Sequence, residues 1–449
     1  MTVSRDAVVK PPRNSAAIDV AVHPYRRPHS SASRRLLSIL RVLGPGLVTG
    51  SADDDPSGIA TYSQVGAQFG YAMLWTMLLT YPLMAAIQET CARVGRVTGG
   101  GLAANLRRYY PRSLLYAAVA LVLVANIFNL GADIGAMGAA AQLLLPGRAW
   151  VYVVGLGLGS LLLQVFIPYV TYAKYLKWMT LSLFAYVATA FWVHLSWGAV
   201  LRASFLPQIA WNKPYLTGLV AVFGTTISPY LFFWQASQEV EEVNNHRAGQ
   251  PLKKAPAQAP TQLARIRMDT YIGMGFSNVV AFFIILTTAA TLHAHGITDV
   301  ATSAQAAQAL APLAGRWAER LFACGIIGTG MLAMPVLAGS AAYAIGEAWR
   351  WPVSLAKKPQ QAPAFYLTIV VATIAGICLT FLHIDPIRAL FWAAVLNGTL
   401  AAPLMAVILH MASSRRVMGK FVIPSYLQFA GWAATLLMLV ASVAIVTER

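Results

Sequence analysis

Long apolar runs recur along this chain from residue 36 to residue 446, and each is long enough to cross a bilayer, which takes a helix of about 20 residues. Hydrophobic residues make up 57% of the sequence and charged residues only 11%, whereas soluble domains are roughly one-quarter charged. No stretch between the runs is large enough to form a separate soluble domain. The sequence therefore predicts an all-α polytopic membrane protein.

Eleven membrane spans are predicted, at residues 42–61, 70–92, 114–143, 150–171, 176–197, 216–237, 269–293, 318–346, 365–384, 387–411 and 424–446. If the N-terminus is inside, 26 of the 33 Lys and Arg residues fall in cytoplasmic segments. Cytoplasmic loops carry such an excess of basic residues. We therefore predict an inner-membrane protein with a cytoplasmic N-terminus and an external C-terminus. The basic segment 1–41 lacks the pattern of a cleaved signal and is predicted to be a cytoplasmic tail.

Several other classes of protein are disfavoured. The formal charge is +17, but the basic residues lie between the apolar runs and not on one soluble face, which argues against nucleic acid as a partner. The three cysteines lie in apolar runs without the spacing of metal ligands, so neither a disulfide framework nor a zinc cluster is expected. No phosphate-binding loop or nucleophile motif occurs. We therefore expect neither an enzyme nor a resident cofactor.

Two spans are interrupted in a matched way. The first contains the polar segment 51–58 and the sixth contains the segment 224–229, and both include a proline. Proline and glycine are tolerated in membrane helices as simple kinks. Breaks at corresponding positions of two halves are instead typical of inverted-repeat transporters, whose substrate site lies at the broken helices. The predicted halves are 42–197 and 216–411, with 424–446 as an added helix.

Three consecutive aspartates, Asp53, Asp54 and Asp55, lie in the first break. A charged residue in an apolar span costs roughly 2.5–3.5 kcal/mol on the insertion scale. A bound cation would offset that cost, because carboxylate and carbonyl oxygens are the ligands that Mg²⁺, Ca²⁺ and Mn²⁺ prefer. For Asp53 and Asp54, a position near the water interface or in a wet vestibule is an equal alternative. Asp55, directly before Pro56, is the strongest candidate ligand.

Five motifs give the chain a resemblance to the NRAMP family of divalent metal transporters. They are Gly44-Pro45-Gly46, Asp55-Pro56, the segments 66–71 and 93–99, and Ala281-Phe282-Phe283-Ile284 downstream of Asp269-Thr270. Together with the broken sixth span they cover nearly the whole chain past residue 36. The resemblance implies a LeuT-type fold of two five-helix repeats plus an eleventh helix, and transport by alternating access.

The chain departs from that family at two ligand positions. The family usually has Asp-Pro-Gly-Asn in its first helix, where this chain has Gly58 at the fourth position. In its sixth helix the family usually has Met-Pro-His, where this chain has Ser228 and Tyr230 around the proline. The resemblance then implies a harder site made of Asp55, the backbone oxygens of Ala52 and Thr225, Ser228 and water. This pattern is similar to the NRAMP-related magnesium transporters.

The third span carries a further departure. The family's acidic pair there aligns with Asn129 and Ala132, so the resemblance implies that the proton relay is missing. Asp133 could take that role only if the alignment is off by one residue, because helical neighbours face about 100° apart. A hydrogen-bonded packing role for Asp133 is an equal alternative.

We therefore predict transport of a divalent cation, Mg²⁺ or Mn²⁺, as the substrate and without proton coupling. The alternatives are a proton-coupled importer of Mn²⁺ or Fe²⁺, an amino-acid carrier of the same fold, and a membrane sensor or scaffold that binds metal. Further candidates for the metal or its hydration shell are Asp54, Asp53, Gly58, Tyr230, Asn397 and Thr399. For Asn397 and Thr399, satisfying a local backbone group is an equal alternative.

Overall fold

The computed structural model describes residues 50, 53–167, 176, 179, 181–245, 249–382 and 384–447, and all of them lie in the compact unit Gly44–Arg449. The predicted tail 1–41, the predicted ligand Ala52 and the C-terminal Arg449 lie outside the described residues. Every regular element in the described ranges is a helix.

In the first part of the chain, the described α-helical elements number nine. They are α1 (Pro56–Phe69), α2 (Leu74–Thr98), α3 (Leu102–Tyr109), α4 (Arg112–Leu144), α5 (Ala149–Phe166), α6 (Phe184–Trp192), α7 (Trp197–Phe205), α8 (Lys213–Thr226) and α9 (Pro229–Asn245). The described residues of the second part form eight more α-helices. They are α10 (Ala259–Thr291), α11 (Ser303–Gln308), α12 (Ala311–Ala314), α13 (Ala318–Trp349), α14 (Pro363–Leu379), α15 (Pro386–Ser413), α16 (Arg415–Met418) and α17 (Ser425–Thr447).

Nine helical stretches of the described residues are long and apolar enough to cross a membrane, or ten if one bent pair counts as a single span. The predicted spans 42–61 and 70–92 share the stretch Pro56–Thr98, which a short 3-10 turn at Gly70–Met73 divides. Each other predicted span overlaps one of the remaining eight stretches, except 176–197, which overlaps the bent pair. The all-α membrane-spanning architecture is therefore confirmed, while the count of eleven and the boundaries of the repeats stay predictions.

The fifth predicted span, 176–197, differs most from the structure. Its described residues include the helical stretch Leu181–Trp192, after which the chain bends by 118° into α7. The residues that separate the two helices are Val193 to Ser196. α7 lies almost entirely between the fifth and sixth predicted spans, and its nine residues are too few to cross a membrane.

Helices α8 and α15 approach each other closely through two glycines. A Cβ atom added to Gly224 would lie 2.0 Å from the carbonyl oxygen of Ala394, and one added to Gly398 would lie 2.5 Å from that of Val220. Small residues allow this kind of backbone contact between membrane helices. The contact fixes the end of α8, where the second break occurs.

Helix α4 is held against α13 by the side-chain amide of Asn126, which donates to the carbonyl oxygen of Leu337 at 2.9 Å and to Ser340 Oγ at 2.7 Å. Met137 lies on the same side of α4 and packs against Gly330 of α13. Pro56 of α1 also lies against Gly330. α4 therefore runs directly past the first break.

Candidate functional site

Both predicted helix breaks are present, and each is followed by a helix that begins with proline. The chain is extended at Asp55 before α1 begins at Pro56. In the second break, Ile227 and Ser228 separate α8 from α9, which begins at Pro229. Proline suits the first helical position because the amide that it lacks has no intrahelical partner there.

The two breaks face each other. The hydroxyl oxygens of Ser57 and Thr225 lie 3.4 Å apart, and those of Tyr62 and Thr226 lie 3.1 Å apart. Gly58 is part of this contact, because a Cβ atom at its position would lie 3.3 Å from Thr225 Oγ1. Gly58 therefore permits α1 to pack against the end of α8.

The Asp55 carboxylate lies at the centre of this contact and is 1% exposed. Its Oδ1 accepts hydrogen bonds from Ser57 Oγ at 2.6 Å and from the Gly58 backbone amide at 2.8 Å. Its Oδ2 accepts from Asn129 Nδ2 at 2.9 Å and from the Tyr230 hydroxyl at 3.3 Å. Because a carboxylate has about four acceptor positions, a cation that binds Asp55 directly must displace one of these donors.

Asp53 and Asp54 face a different helix. The hydroxyl of Ser277, in α10, donates to Asp53 Oδ2 at 2.7 Å and to Asp54 Oδ1 at 2.9 Å. Both carboxylates are buried, at 1% and 3% exposure, which contradicts a position at the water interface. No group of three or more potential ligand side chains converges among the described residues. The three aspartates therefore do not form one cluster.

The polar face of α4 adds two residues to the site. Asn129, which donates to Asp55, also accepts a hydrogen bond from Asn397 Nδ2 at 3.4 Å. Asp133 is buried one helical turn further along, near Asp55 and the Ser57 backbone amide. Neither of its carboxyl oxygens has a hydrogen bond of regular geometry among the described residues, and the Ser57 amide is the backbone donor that faces it. The functional role and the packing role of Asp133 therefore both stay predictions.

Ala132, with which the family's second acidic residue aligns, lines a different feature. It contributes to a cavity of about 570 Å³ between α4, α5 and the residues that join α14 to α15. Of these two neighbours in α4, Asp133 and not Ala132 lies near Asp55. The spacing of four residues from Asn129 was the signal in the sequence, because positions i and i+4 share one helix face.

Ser228 and Thr225 contact each other instead of Asp55. The Ser228 hydroxyl donates to the carbonyl oxygens of Gly224 at 2.9 Å and of Thr225 at 2.8 Å. It therefore caps the last turn of α8, where carbonyl groups have no intrahelical partner. The Thr225 carbonyl keeps a second lone pair that a cation could use.

Thr399 is separate from these residues. It is exposed, and its hydroxyl donates to the Val395 carbonyl of its own helix at 3.0 Å. The structure gives no support to a role of Thr399 in ordering ion-bound water. Its hydroxyl satisfies a local backbone carbonyl, which is the alternative that the sequence also allowed. Asn397, two residues earlier, is buried and reaches the site through Asn129.

Comparison with known proteins identifies the family. The Nramp family, described as natural resistance-associated macrophage protein-like, matches residues 46–448. The chain belongs to the Nramp family. Similar proteins include the divalent metal cation transporters MntH of Verminephrobacter eiseniae and of Klebsiella pneumoniae. The first is 27% identical, over an alignment that covers 85% of this Nramp chain and 83% of the relative. The second is 26% identical, over 91% of this chain and 94% of the relative.

Solved structures agree on the fold of this Nramp chain. A manganese transporter of Eremococcus coleocola aligns with a TM-score of 0.72 at 16% identity, over 94% of this chain and 89% of that one. Mhp1, a nucleobase-cation-symport-1 family transporter in a closed conformation, aligns with a TM-score of 0.52 at 13% identity, over 90% and 92%. The predicted family and the LeuT-type fold are confirmed.

Proposed function

We propose that this Nramp protein carries a hard divalent cation, Mg²⁺ or Mn²⁺, across the inner membrane by alternating access. The observation that carries the proposal is the buried Asp55 carboxylate between two facing helix breaks. Among the described residues, the groups that contact it come from Ser57, Gly58, Asn129 and Tyr230 and include no thioether or imidazole. Oxygen ligands favour hard cations over soft transition metals.

The hydrogen bonds around Asp55 suggest how such an ion would bind. Mg²⁺ gives up its water reluctantly and is usually held through one or two carboxylates and several waters. An ion that keeps most of its water needs only to displace the longest of the four contacts, that of Tyr230. Gly58, Thr225, Ser228 and Asn397 would then face its hydration shell, and Asp53 and Asp54 would contribute charge from the α10 side.

Proton coupling distinguishes the proposed carrier from its main alternative. Asn129 and Tyr230 replace ionisable groups of the resembled family, and neither exchanges protons near neutral pH, which favours transport without protons. Asp133 favours the second candidate function, a proton-coupled importer of Mn²⁺ or Fe²⁺, because it is an acidic side chain next to Asp55. A carrier of amino acids is disfavoured, since three aspartates at the break would repel the carboxylate of such a substrate.

The orientation is also part of the proposal. The 26 cytoplasmic basic residues support a cytoplasmic N-terminus and an external C-terminus. The matched helix breaks favour a carrier over an enzyme, a sensor or a scaffold, none of which needs them.

Uptake by purified protein in liposomes tests the proposal. Entry of Mg²⁺, Mn²⁺ and Ca²⁺ is followed with metal-sensitive dyes, and luminal pH with a pH dye, for the native protein and for Asp133→Asn. We expect Mg²⁺ or Mn²⁺ uptake without luminal acidification, and the same behaviour in Asp133→Asn. A pH signal that follows metal uptake and disappears in Asp133→Asn would establish the proton-coupled alternative. Absence of metal uptake would reject both.

A further inference from the structure

A second cavity, far in sequence from the two breaks, lies at the end of the molecule that the charge asymmetry assigns to the cytoplasm. Its volume is about 690 Å³, within the roughly 300–1,000 Å³ of small-molecule sites. Three chain segments meet there: the end of α2 with α3, the loop before α10, and the residue that follows α13. They contribute Thr98, Gly99, Gly100, Ala104, Asn105, Arg107, Arg108, Tyr109, Pro251, Lys253, Lys254 and Arg350.

Five of these residues are basic: Arg107, Arg108, Lys253, Lys254 and Arg350. None of the described residues that line the cavity is acidic, and no described carboxylate forms an ion pair with any of the five. Burial, and after it the positive charge of Arg350, lowers the pKa of the Arg107 guanidinium from its ordinary value. The cavity therefore concentrates like charges that repel one another.

The nearest carboxylate is used by other groups. Glu347 accepts hydrogen bonds from the Ala104 backbone amide at 3.0 Å and from Ser237 at 3.2 Å, and Arg107 donates to its backbone carbonyl. Elsewhere on this side, buried carboxylates are paired with cations, as Glu89 is with Arg93 and Glu239 with Arg265. Glu347 attracts the Arg107 guanidinium without forming an ion pair with it. The other four cations of the cavity have no ion-pair partner among the described residues.

Aromatic and backbone features hold the cations together. The Tyr109 ring lies 5.4 Å from the Arg108 guanidinium, 5.8 Å from Lys253 Nζ and 5.9 Å from the Arg416 guanidinium. Arg350 has a φ of 62° and is the one non-glycine residue with positive φ in the described ranges. This left-handed conformation is common where a helix ends, and it turns the chain beside the cavity at the end of α13.

We propose that this cavity binds a phosphate-bearing anion on the cytoplasmic side. Guanidinium groups match phosphate oxygens in a two-pronged fashion, and lysines add point charges. Basic residues on this side are expected from the positive-inside rule alone, but that rule does not require cations from three segments to line one cavity. The terminal phosphates of a soluble polyphosphate and the headgroup of an anionic lipid share this chemistry. The site is independent of the proposed transport function, because no residue lining it contacts Asp55.

Calorimetric titration with inorganic tripolyphosphate, without divalent metal, tests the site in the full-length protein. The test variant is Arg108→Gln/Lys253→Gln/Lys254→Gln, and the control is Lys213→Gln/Arg316→Gln/Arg320→Gln, which removes the same charge from exposed positions outside the cavity. We expect saturable binding that the test variant weakens by at least about tenfold and the control by less than about twofold. Equal affinity in all three proteins, or no saturable binding, would overturn the proposal.

A second arm distinguishes the two sources of phosphate. The titration is repeated in nanodiscs of phosphatidylcholine alone and in nanodiscs that also contain phosphatidylglycerol. A lipid headgroup in the cavity competes with tripolyphosphate, so affinity falls in the anionic nanodiscs for the native protein and the control but not for the test variant. Equal affinity in both nanodiscs assigns the cavity to a soluble phosphate compound. Either result supports the site, and indistinguishable native and test proteins in both nanodiscs would reject it.

Discussion

At the scale of single residues, Asp55 differs from its two acidic neighbours in what it contacts. It binds four donors from α1, α4 and α9, whereas Asp53 and Asp54 share one hydroxyl of α10. We expect Asp55→Ala to lower ion uptake by more than about 100-fold. This exceeds the roughly 10–100-fold loss of metal affinity or activity that is typical when a residue hydrogen-bonded to a metal ligand is removed. Asp53→Ala and Asp54→Ala should each have a smaller effect.

Uptake in liposomes measures these effects, with protein incorporation and the size-exclusion profile as checks of folding. Asp55→Asn is the matched control for shape, because it keeps one acceptor oxygen but removes the charge. Native kinetics in a folded Asp55→Ala protein would contradict the assignment of Asp55. An equally severe Asp53→Ala would mean that several carboxylates hold the ion together.

Ser228 tests the hardness of the site. Ser228→Met adds a thioether, which gains a bond to soft cations, and removes the hydroxyl that caps α8 at Gly224 and Thr225. We expect a partial shift of selectivity toward Mn²⁺ or Cd²⁺, measured as the ratio of their uptake rates to that of Mg²⁺. Ser228→Ala removes the hydroxyl without adding sulfur, so it should not produce the shift. An unchanged ion preference in Ser228→Met would exclude this side chain from the coordination shell.

The position of Asp55 could be predicted from sequence because a charge beside a proline in an apolar span demands a partner. The direction of each aspartate could not be predicted, because the helical period of 3.6 residues no longer applies where the helix is broken. Asp53 and Asp54 therefore turn toward Ser277 without any sign in the sequence. The position of Asp133 could be predicted from its four-residue spacing from Asn129, because positions i and i+4 share one helix face, whereas the family alignment points to Ala132 instead.

At the scale of helices, the crossing of α8 and α15 depends on two glycines. Gly398→Ala would place a Cβ atom 2.5 Å from the Val220 carbonyl oxygen, so the helices must separate and the second break must shift. We expect a loss of about 1–3 kcal/mol in stability, as for other overpacked contacts, together with reduced transport. Thermal unfolding in detergent and liposome uptake measure the two effects.

Gly159→Ala in α5 is the control for that substitution, since a Cβ atom there meets nothing within 4 Å. It changes the same residue type in another membrane helix and should leave stability and transport near native values. If Gly398→Ala behaved like Gly159→Ala, the close approach of α8 and α15 would not be essential to the site.

The helices and both breaks could be predicted because hydropathy and proline act locally. The 118° bend between Leu181–Trp192 and α7 could not, because residues 193–196 contain neither proline nor glycine. The close contact between α8 and α15 could not be predicted from the sequence either, since a glycine inside an apolar run does not reveal which helix it faces.

At the scale of the whole molecule, the charge asymmetry predicts which ends are accessible from each side. In a background of Cys91→Ala, Cys324→Ala and Cys378→Ala, an impermeant thiol reagent added outside should label Ala294→Cys and should not label Ala257→Cys. Both positions are exposed, so burial does not explain a difference between them.

Labelling in intact cells and in permeabilised cells gives the comparison. Cysteines placed at positions 1–35 should react only after permeabilisation, and one at position 449 should react before it. The reverse pattern would contradict the proposed orientation, and a C-terminus reached only from inside would contradict an odd number of spans.

The four hydrogen bonds to Asp55 also bear on the kinetics of the empty carrier. A carrier that relies on its substrate to neutralise a bare carboxylate is slow to reorient when unloaded, and it then mainly exchanges one ion for another. Here the protein's own donors stabilise the carboxylate before any ion arrives. We therefore expect the empty carrier to return across the membrane without a counter-ion, so that net flux down a gradient, and not obligatory exchange, carries the ion.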